Sequence, residues 1–147
     1  MIETVIPCTY IVDDDRVFRL VSGKQVEKHE SYGSNEAYED GQQALLRLTQ
    51  LIENDDIDQL PKLILLDINM PIMDGWAFLN AFDRLAATYG VYVVIVTSSI
   101  DPKDYERSKR YHSVIDYISK PLSLEKLDRI LKLISELGGI YGKSPGY

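Results

Sequence analysis

The chain has 147 residues, a formal net charge of −7, 45% apolar residues and 27% charged residues. A chain of this length forms one domain and buries about 70% of its unfolded surface, so it needs no staples, and its composition excludes a disordered tail. No apolar run approaches the ~20 residues that span a bilayer, one cysteine (Cys8) forbids an internal disulfide, and the negative charge disfavours nucleic acid and anionic membranes. Residues Met1-Ile2-Glu3-Thr4 show no basic patch before an apolar core, so no signal peptide is expected, and a reduced, cytoplasmic setting fits.

In chain order, Thr9-Tyr10-Ile11-Val12 reads as the first strand. A helix follows near 15–29, carrying Val17, Phe18, Leu20 and Val21 and interrupted by Gly23. A polar second strand near Ser31 to Ala37 suits a sheet edge. Ala44, Leu45, Leu48, Leu51 and Ile52 recur at helical spacing, and the acidic stretch from Glu53 to Asp58 reads as a solvated loop. Leu63 to Leu66 form the third strand, and Phe78, Leu79, Phe82, Leu85 and Ala86 the next helical stripe. Val91 to Val96 form the fourth strand. Asp101-Pro102 caps a short helix over about 102–110 that has little apolar stripe. Val114 to Ile118 form the fifth strand, and Leu127, Ile130, Leu131, Ile134 and Leu137 the last helical stripe. Except for the second, the strands are apolar enough to be buried on both faces. Residues 138–147 read as a frayed tail with no room for an output domain.

Alternating strands and helices imply a parallel sheet with right-handed crossovers and helices on both faces. Ligands of such sheets sit beyond the carboxyl ends of the strands. Asp13-Asp14-Asp15 stands there after the first strand, Asp67 after the third, Thr97 and Ser98 after the fourth, and Ser119-Lys120-Pro121 after the fifth. Taken singly, most of these are ordinary turn and cap residues. A carboxylate ending a buried strand, as Asp67 does, needs a partner. Clustered aspartates raise one another's pKa, and Mg²⁺, which takes carboxylate and carbonyl oxygens, resolves that conflict. One carboxylate is then a nucleophile toward phosphorus, with Lys120 and the cation neutralising the transferred group and the Thr97 hydroxyl bonding one of its oxygens.

The segments Tyr-Ile-Val-Asp13-Asp14-Asp15, Leu-Ile-Leu-Leu-Asp67-Ile-Asn-Met-Pro71-Ile-Met-Asp-Gly75, Val-Ile-Val-Thr97-Ser-Ser and Tyr117-Ile-Ser-Lys120-Pro121 carry a family resemblance. Over about residues 8–137 the chain resembles the receiver domain of two-component response regulators, in its stand-alone form. The resemblance implies a flavodoxin-like, doubly wound α/β fold with five parallel strands in the order 2-1-3-4-5. It implies a receiver domain over 1–137 and a tail over 138–147. Asp67 matches the phosphoacceptor and Asp14 the direct Mg²⁺ (or Mn²⁺) ligand, with Asp13 acting through bound water and Asn69 giving a backbone carbonyl. Thr97 matches the switch hydroxyl, Tyr117 the aromatic that follows it, and Lys120 the phosphate-binding lysine before a cis Pro121. Asp15 matches a commonly acidic position, and Asn69 and Ser99 match positions that tune dephosphorylation. The implied partner is a sensor histidine kinase, a hybrid kinase or a phosphotransfer protein, with no direct contact to nucleic acid or membrane. The short helix near 102–110, the fifth strand and the last helix would meet an output partner or a second copy as a homodimer, and that helix, with few buried apolar residues, is the expected mobile element.

Two other enzyme or cofactor classes fit less well. An Asp-nucleophile, Mg²⁺-dependent phosphatase of the haloacid-dehalogenase class needs an acid two residues after its nucleophile, where Asn69 stands. A flavodoxin needs a phosphate cradle after its first strand, where Asp13-Asp14-Asp15 repels phosphate. A non-catalytic adaptor of receiver fold keeps the fold without the chemistry. The chain is therefore expected to be a phosphoacceptor signalling domain and not a turnover enzyme. His29 and His112 read as surface residues away from the site, and Cys8 as packing.

Overall fold

A computed structural model describes residues 4–138. The tail from residue 139 onward, and the first three residues, lie outside the described residues. The elements in order are β1 (Ile6–Val12), α1 (Arg16–Lys28), β2 (Tyr32–Tyr38), α2 (Gly41–Glu53), a 3-10 turn (Ile57–Gln59), β3 (Leu63–Leu66), α3 (Gly75–Tyr89), β4 (Tyr92–Thr97), α4 (Pro102–Ser108), β5 (Val114–Ser119) and α5 (Leu124–Glu136). Five parallel strands form one sheet in the order β2-β1-β3-β4-β5. The doubly wound expectation and its strand order hold.

The alternation of side chains along each strand divides the core in two. Tyr10, Val12, Ile64, Leu66, Val93 and Ile95 face α2 and α3, where Ala44, Leu48, Leu51, Phe78, Leu79 and Phe82 close the layer. Ile11, Leu63, Leu65, Val94 and Val96 face the other way, toward Val26 of α1 and Leu127, Ile130 and Ile134 of α5. β3 is buried along its whole length, as its continuous apolar run requires.

β5 departs from the expected burial. It is an edge strand, and of its residues only Ile118 is buried. α1 departs further. It runs unbroken through Gly23, which is buried, and its apolar residues Val17, Leu20 and Val21 are the exposed ones. A Cβ at Gly23 would meet Asn35 Oδ1 at 3.2 Å, so the glycine lets the helix lie close to β2 at the cost of some helix propensity. The acidic stretch after α2 contains the 3-10 turn, with Ile57 packed against the core. Leu137 lies past the end of α5 and is exposed. His29 is no plain surface residue: its ring packs edge-on against Tyr32 and its Nε2 lies 2.6 Å from Asp128 Oδ1. His112 is exposed as expected, and Cys8 sits half-buried within β1, where burial pushes its thiol pKa up.

Candidate functional site

The strand ends place the site. β1 stops at Val12, and the next residue, Asp13, keeps its N–H on the Tyr38 carbonyl at 3.0 Å. Its side chain is buried, and its Oδ1 accepts the Asp15 N–H at 2.9 Å. Asp14 turns outward and is exposed. Asp15 caps α1, accepting from Val17 and Phe18. One strand over, the Asp67 N–H donates to the Val12 carbonyl at 3.0 Å, which brings Asp67 level with Asp13. Asp67 is 5% exposed, and its Oδ1 accepts the Ile68 N–H at 2.8 Å. A carboxylate oxygen from each of Asp13, Asp14 and Asp67 falls within 4.8 Å of the others.

The loop after β3 returns tightly over this cluster. The Gly75 N–H donates to the Ile68 carbonyl at 3.1 Å. A Cβ at Gly75 would lie 2.6 Å from the Asp67 carbonyl oxygen and 2.7 Å from Ile68 Cα. Only glycine permits that approach. Asp74 caps α3 through the Ala77 N–H. Asn69 stands exposed on this loop, two residues past Asp67.

Lys120 closes the cluster. Its Nζ lies 2.8 Å from Asp13 Oδ2 and 3.5 Å from Asp67 Oδ2. Its backbone N–H donates to the Thr97 carbonyl at 3.0 Å, and its peptide bond to Pro121 is cis, as expected. Thr97 is fully buried, and its Oγ1 accepts the Ser99 N–H at 3.2 Å. Tyr117 is half-buried and meets Tyr105 edge to face at 5.6 Å. Its hydroxyl is buried beside Ser99 with no hydrogen-bond partner.

The electrostatics follow from burial and crowding. Burial pushes Asp13 above the ordinary carboxylate range; Lys120 and the Asp15 N–H pull against this and Asp67 adds to it. Burial pulls Lys120 down, but the Asp13 hydrogen bond and the charge of Asp67 outweigh it, and the net shift is upward. Burial likewise raises Tyr117; the Ser99 hydroxyl opposes this and the Asp104, Asp101 and Asp67 carboxylates reinforce it. Three carboxylates facing one ammonium leave excess negative charge. Their all-oxygen donor set fits a hard divalent cation of the Mg²⁺ type.

Four residues at the site escaped sequence reasoning. Phe18 lies under Lys120, with Nζ 4.6 Å from the ring centroid. Arg19 Nη1 donates to the Asp13 carbonyl at 2.8 Å. Lys126 Nζ donates to the Ser119 and Pro121 carbonyls, each at 2.7 Å, and so pins the loop that carries Lys120. Asp104 takes the Ser99 hydroxyl. None of these stands at a strand end, and Phe18 had passed for one more member of an apolar stripe.

The family model of the response regulator receiver domain matches residues 9–132. The chain belongs to this family. The receiver domain is 30% identical over 136 residues to the probable methanogenesis regulatory protein FilR2 of Methanothrix harundinacea, covering 92% of this chain and 86% of that protein. It is 32% identical over 123 residues to the transcriptional regulatory protein HptR of Staphylococcus aureus, covering 82% of this chain but 43% of HptR. It thus spans less than half of HptR's length. A two component response regulator from Cytophaga hutchinsonii superposes with a TM-score of 0.78 at 24% identity, covering 89% of this chain and 98% of that one, and shares the fold. Receiver domains are signalling modules of two-component systems; they deal with histidine kinases and bind Mg²⁺ in an acidic pocket, and they are not classical enzymes. Among the described residues no helix is long and apolar enough to cross a membrane.

Proposed function

We propose that Asp67 accepts a phosphoryl group from a phosphohistidine on a sensor kinase, hybrid kinase or phosphotransfer protein. The observation that carries this reading is the convergence of Asp13, Asp14 and Asp67 with one lysine, Lys120, at the carboxyl edge of the sheet. Asp13, Asp14 and Asp67, with the backbone carbonyl of Asn69, would hold Mg²⁺ (or Mn²⁺), which supplies positive charge to the transferring phosphoryl group. The Asp67 carboxylate oxygen forms the new bond to phosphorus as the bond from phosphorus to the imidazole nitrogen breaks, and the electron pair leaves with the imidazole. Oδ2, which faces Lys120, is the oxygen for that bond, because Oδ1 is already held by the Ile68 N–H. Lys120 sits between Asp13 and Asp67, within reach of the incoming charge, and Phe18 and Lys126 keep it there.

The added group carries about two negative charges and strong acceptor oxygens. Thr97 then donates its hydroxyl toward the phosphoryl group, and Tyr117, whose hydroxyl lacks a partner, follows. The change is read by a partner protein or a second copy at the face of α4, β5 and α5. Its half-exposed β5, and Arg129 held 2.9 Å from Asp116, support that surface. The receiver acts in the cytoplasm through protein partners. The net charge of −7 supports this over direct nucleic-acid contact.

Intact-mass analysis after incubation with acetyl phosphate and Mg²⁺ tests the reading. One added phosphoryl group is expected, stable in acid, labile in base, and absent from Asp67→Asn and from the metal-free sample. No adduct, together with no beryllofluoride complex, would sink it and leave a non-catalytic adaptor.

A further inference from the structure

α4 is the least anchored helix of the fold. It has seven residues, of which only Ser108 is buried, and that hydroxyl is spent on the Tyr105 carbonyl within the same helix. Its start is held by side-chain hydrogen bonds. Asp101 caps it, accepting the Lys103 N–H at 2.9 Å. Ser99, in the loop before it, makes three contacts. Its hydroxyl donates to Asp104 Oδ2 at 2.5 Å, its Oγ accepts the Asp101 N–H at 3.3 Å, and its own N–H donates to Thr97 Oγ1 at 3.2 Å. An unbroken run of hydrogen bonds therefore joins the Thr97 hydroxyl to the first turn of α4. Its strongest member is the hydroxyl-to-carboxylate bond, since ionised acceptors make short bonds about twice as strong as neutral ones.

The geometry points to Asp104 as a positioning residue: through the Ser99 hydroxyl it latches the loop carrying Thr97 to α4 and opposes the movement of Thr97 toward Asp67. Thr97 cannot advance without drawing the Ser99 N–H after it. Ser99 cannot follow without stretching its bond to Asp104 or dragging the α4 cap. The latch thus stabilises the unphosphorylated arrangement and sets how much of the phosphoryl group's binding energy reaches α4. The inference rests on the reading of Asp67 as the phosphoacceptor, and the test separates the two.

Three variants divide the latch from plain charge. Asp104→Ala removes carboxylate and acceptor, Asp104→Asn removes the charge but keeps an acceptor in place, and Ser99→Ala removes the hydroxyl and keeps the charge. Each is compared with the wild type in hydrogen exchange of the amides over 103–106 without ligand, and in beryllofluoride affinity at saturating Mg²⁺ by titration calorimetry. The latch predicts faster exchange in Ser99→Ala and Asp104→Ala. It predicts about tenfold tighter beryllofluoride binding in both, from a hydrogen bond to a charged group that is lost only in the resting state. It also predicts no further gain in the double variant, because the two side chains make one interaction. Gains that add, no change in either single variant, or a gain in Asp104→Asn equal to that in Asp104→Ala with Ser99→Ala at the wild-type level would overturn it. If the wild type binds no beryllofluoride, the phosphoacceptor reading falls, and the exchange comparison alone decides the latch.

Discussion

α3 and α4 follow neighbouring strands and are held to the molecule by different physics. α3 has 15 residues and buries Gly75, Trp76, Phe78, Leu79, Phe82 and Ala86, with Asp74 at its start and Gly90 in the left-handed conformation, φ 70°, at its end. α4 has seven residues, buries Ser108 alone, and relies on the Asp101 cap, Pro102 in its first turn, and hooks from Ser99, Trp76 and Tyr117. Apolar burial is non-directional and scales with area, so α3 resists small local changes. Directional contacts are few and weak enough that losing one shifts a helix such as α4. The proposed phosphoryl switch would use one element of each kind: a rigid mount beside Asp67 and a loosely held reporter.

The contrast breaks most clearly in the core. Phe82→Ala, at a fully buried site, should cost about 3–5 kcal/mol and lower the urea midpoint accordingly. A loss below about 1 kcal/mol would mean that α3 is not anchored by burial. Next in size is the metal. Mg²⁺ at ten times its Kd should stabilise the protein by about 1.4 kcal/mol. The pH dependence follows from Asp13, whose pKa in the folded protein lies above its unfolded value. Without metal the folded state holds a proton that the unfolded state has released, so stability falls as pH rises from the ordinary carboxylate value through the raised one. Mg²⁺ competes with that proton, so its stabilising effect should be full at neutral pH and fade as pH falls through the raised value. Melting curves with and without Mg²⁺ from pH 8 to pH 4 check this; a metal effect that persists to the acid end would remove Asp13 from the metal site.

Smaller effects sharpen the comparison. Asp101→Ala and Asp74→Ala remove the same kind of cap, each worth about 1 kcal/mol. The Asp74 loss should appear in the global midpoint, because α3 unfolds with the core. The Asp101 loss should appear only as faster exchange within α4; a matching shift of the global midpoint would show α4 to be part of the cooperative core. Smallest is Arg107→Ala. Its guanidinium lies 4.6 Å from the centroid of Trp76, which stacks on Tyr111, and the contact is worth about 0.5–1 kcal/mol. Trp76 is the chain's one tryptophan, so its emission should change in Arg107→Ala. Unchanged emission would show that this link between α3 and α4 is not formed.

Residue types and periods made most of the fold legible. Short apolar runs marked β1, β3 and β4, an apolar stripe marked α3, the Asp101-Pro102 cap marked α4, and the polar character of β2 correctly set it at an edge. α1 was misread because three of its apolar residues face outward and its glycine faces inward. A one-dimensional pattern carries no sign that a helix must come close to Asn35. β5 was misread because its apolar residues resemble those of a covered strand, and only the strand order reveals that no further strand among the described residues pairs with it.

The site divides in the same way. The sequence by itself determined which groups gather: a side chain at the carboxyl end of a parallel strand can only arrive at that edge, so Asp13, Asp67, Thr97 and Lys120 share it wherever the strands pair. Tertiary structure alone decided which atoms touch. That Lys120 bonds Asp13 more closely than Asp67, that Phe18 lies beneath it, and that the Ser99 hydroxyl donates to Asp104 depend on register, helix depth and side-chain rotamers. Those are set by packing across segments as far apart in the chain as Phe18 and Lys120, a separation at which spacing carries no information.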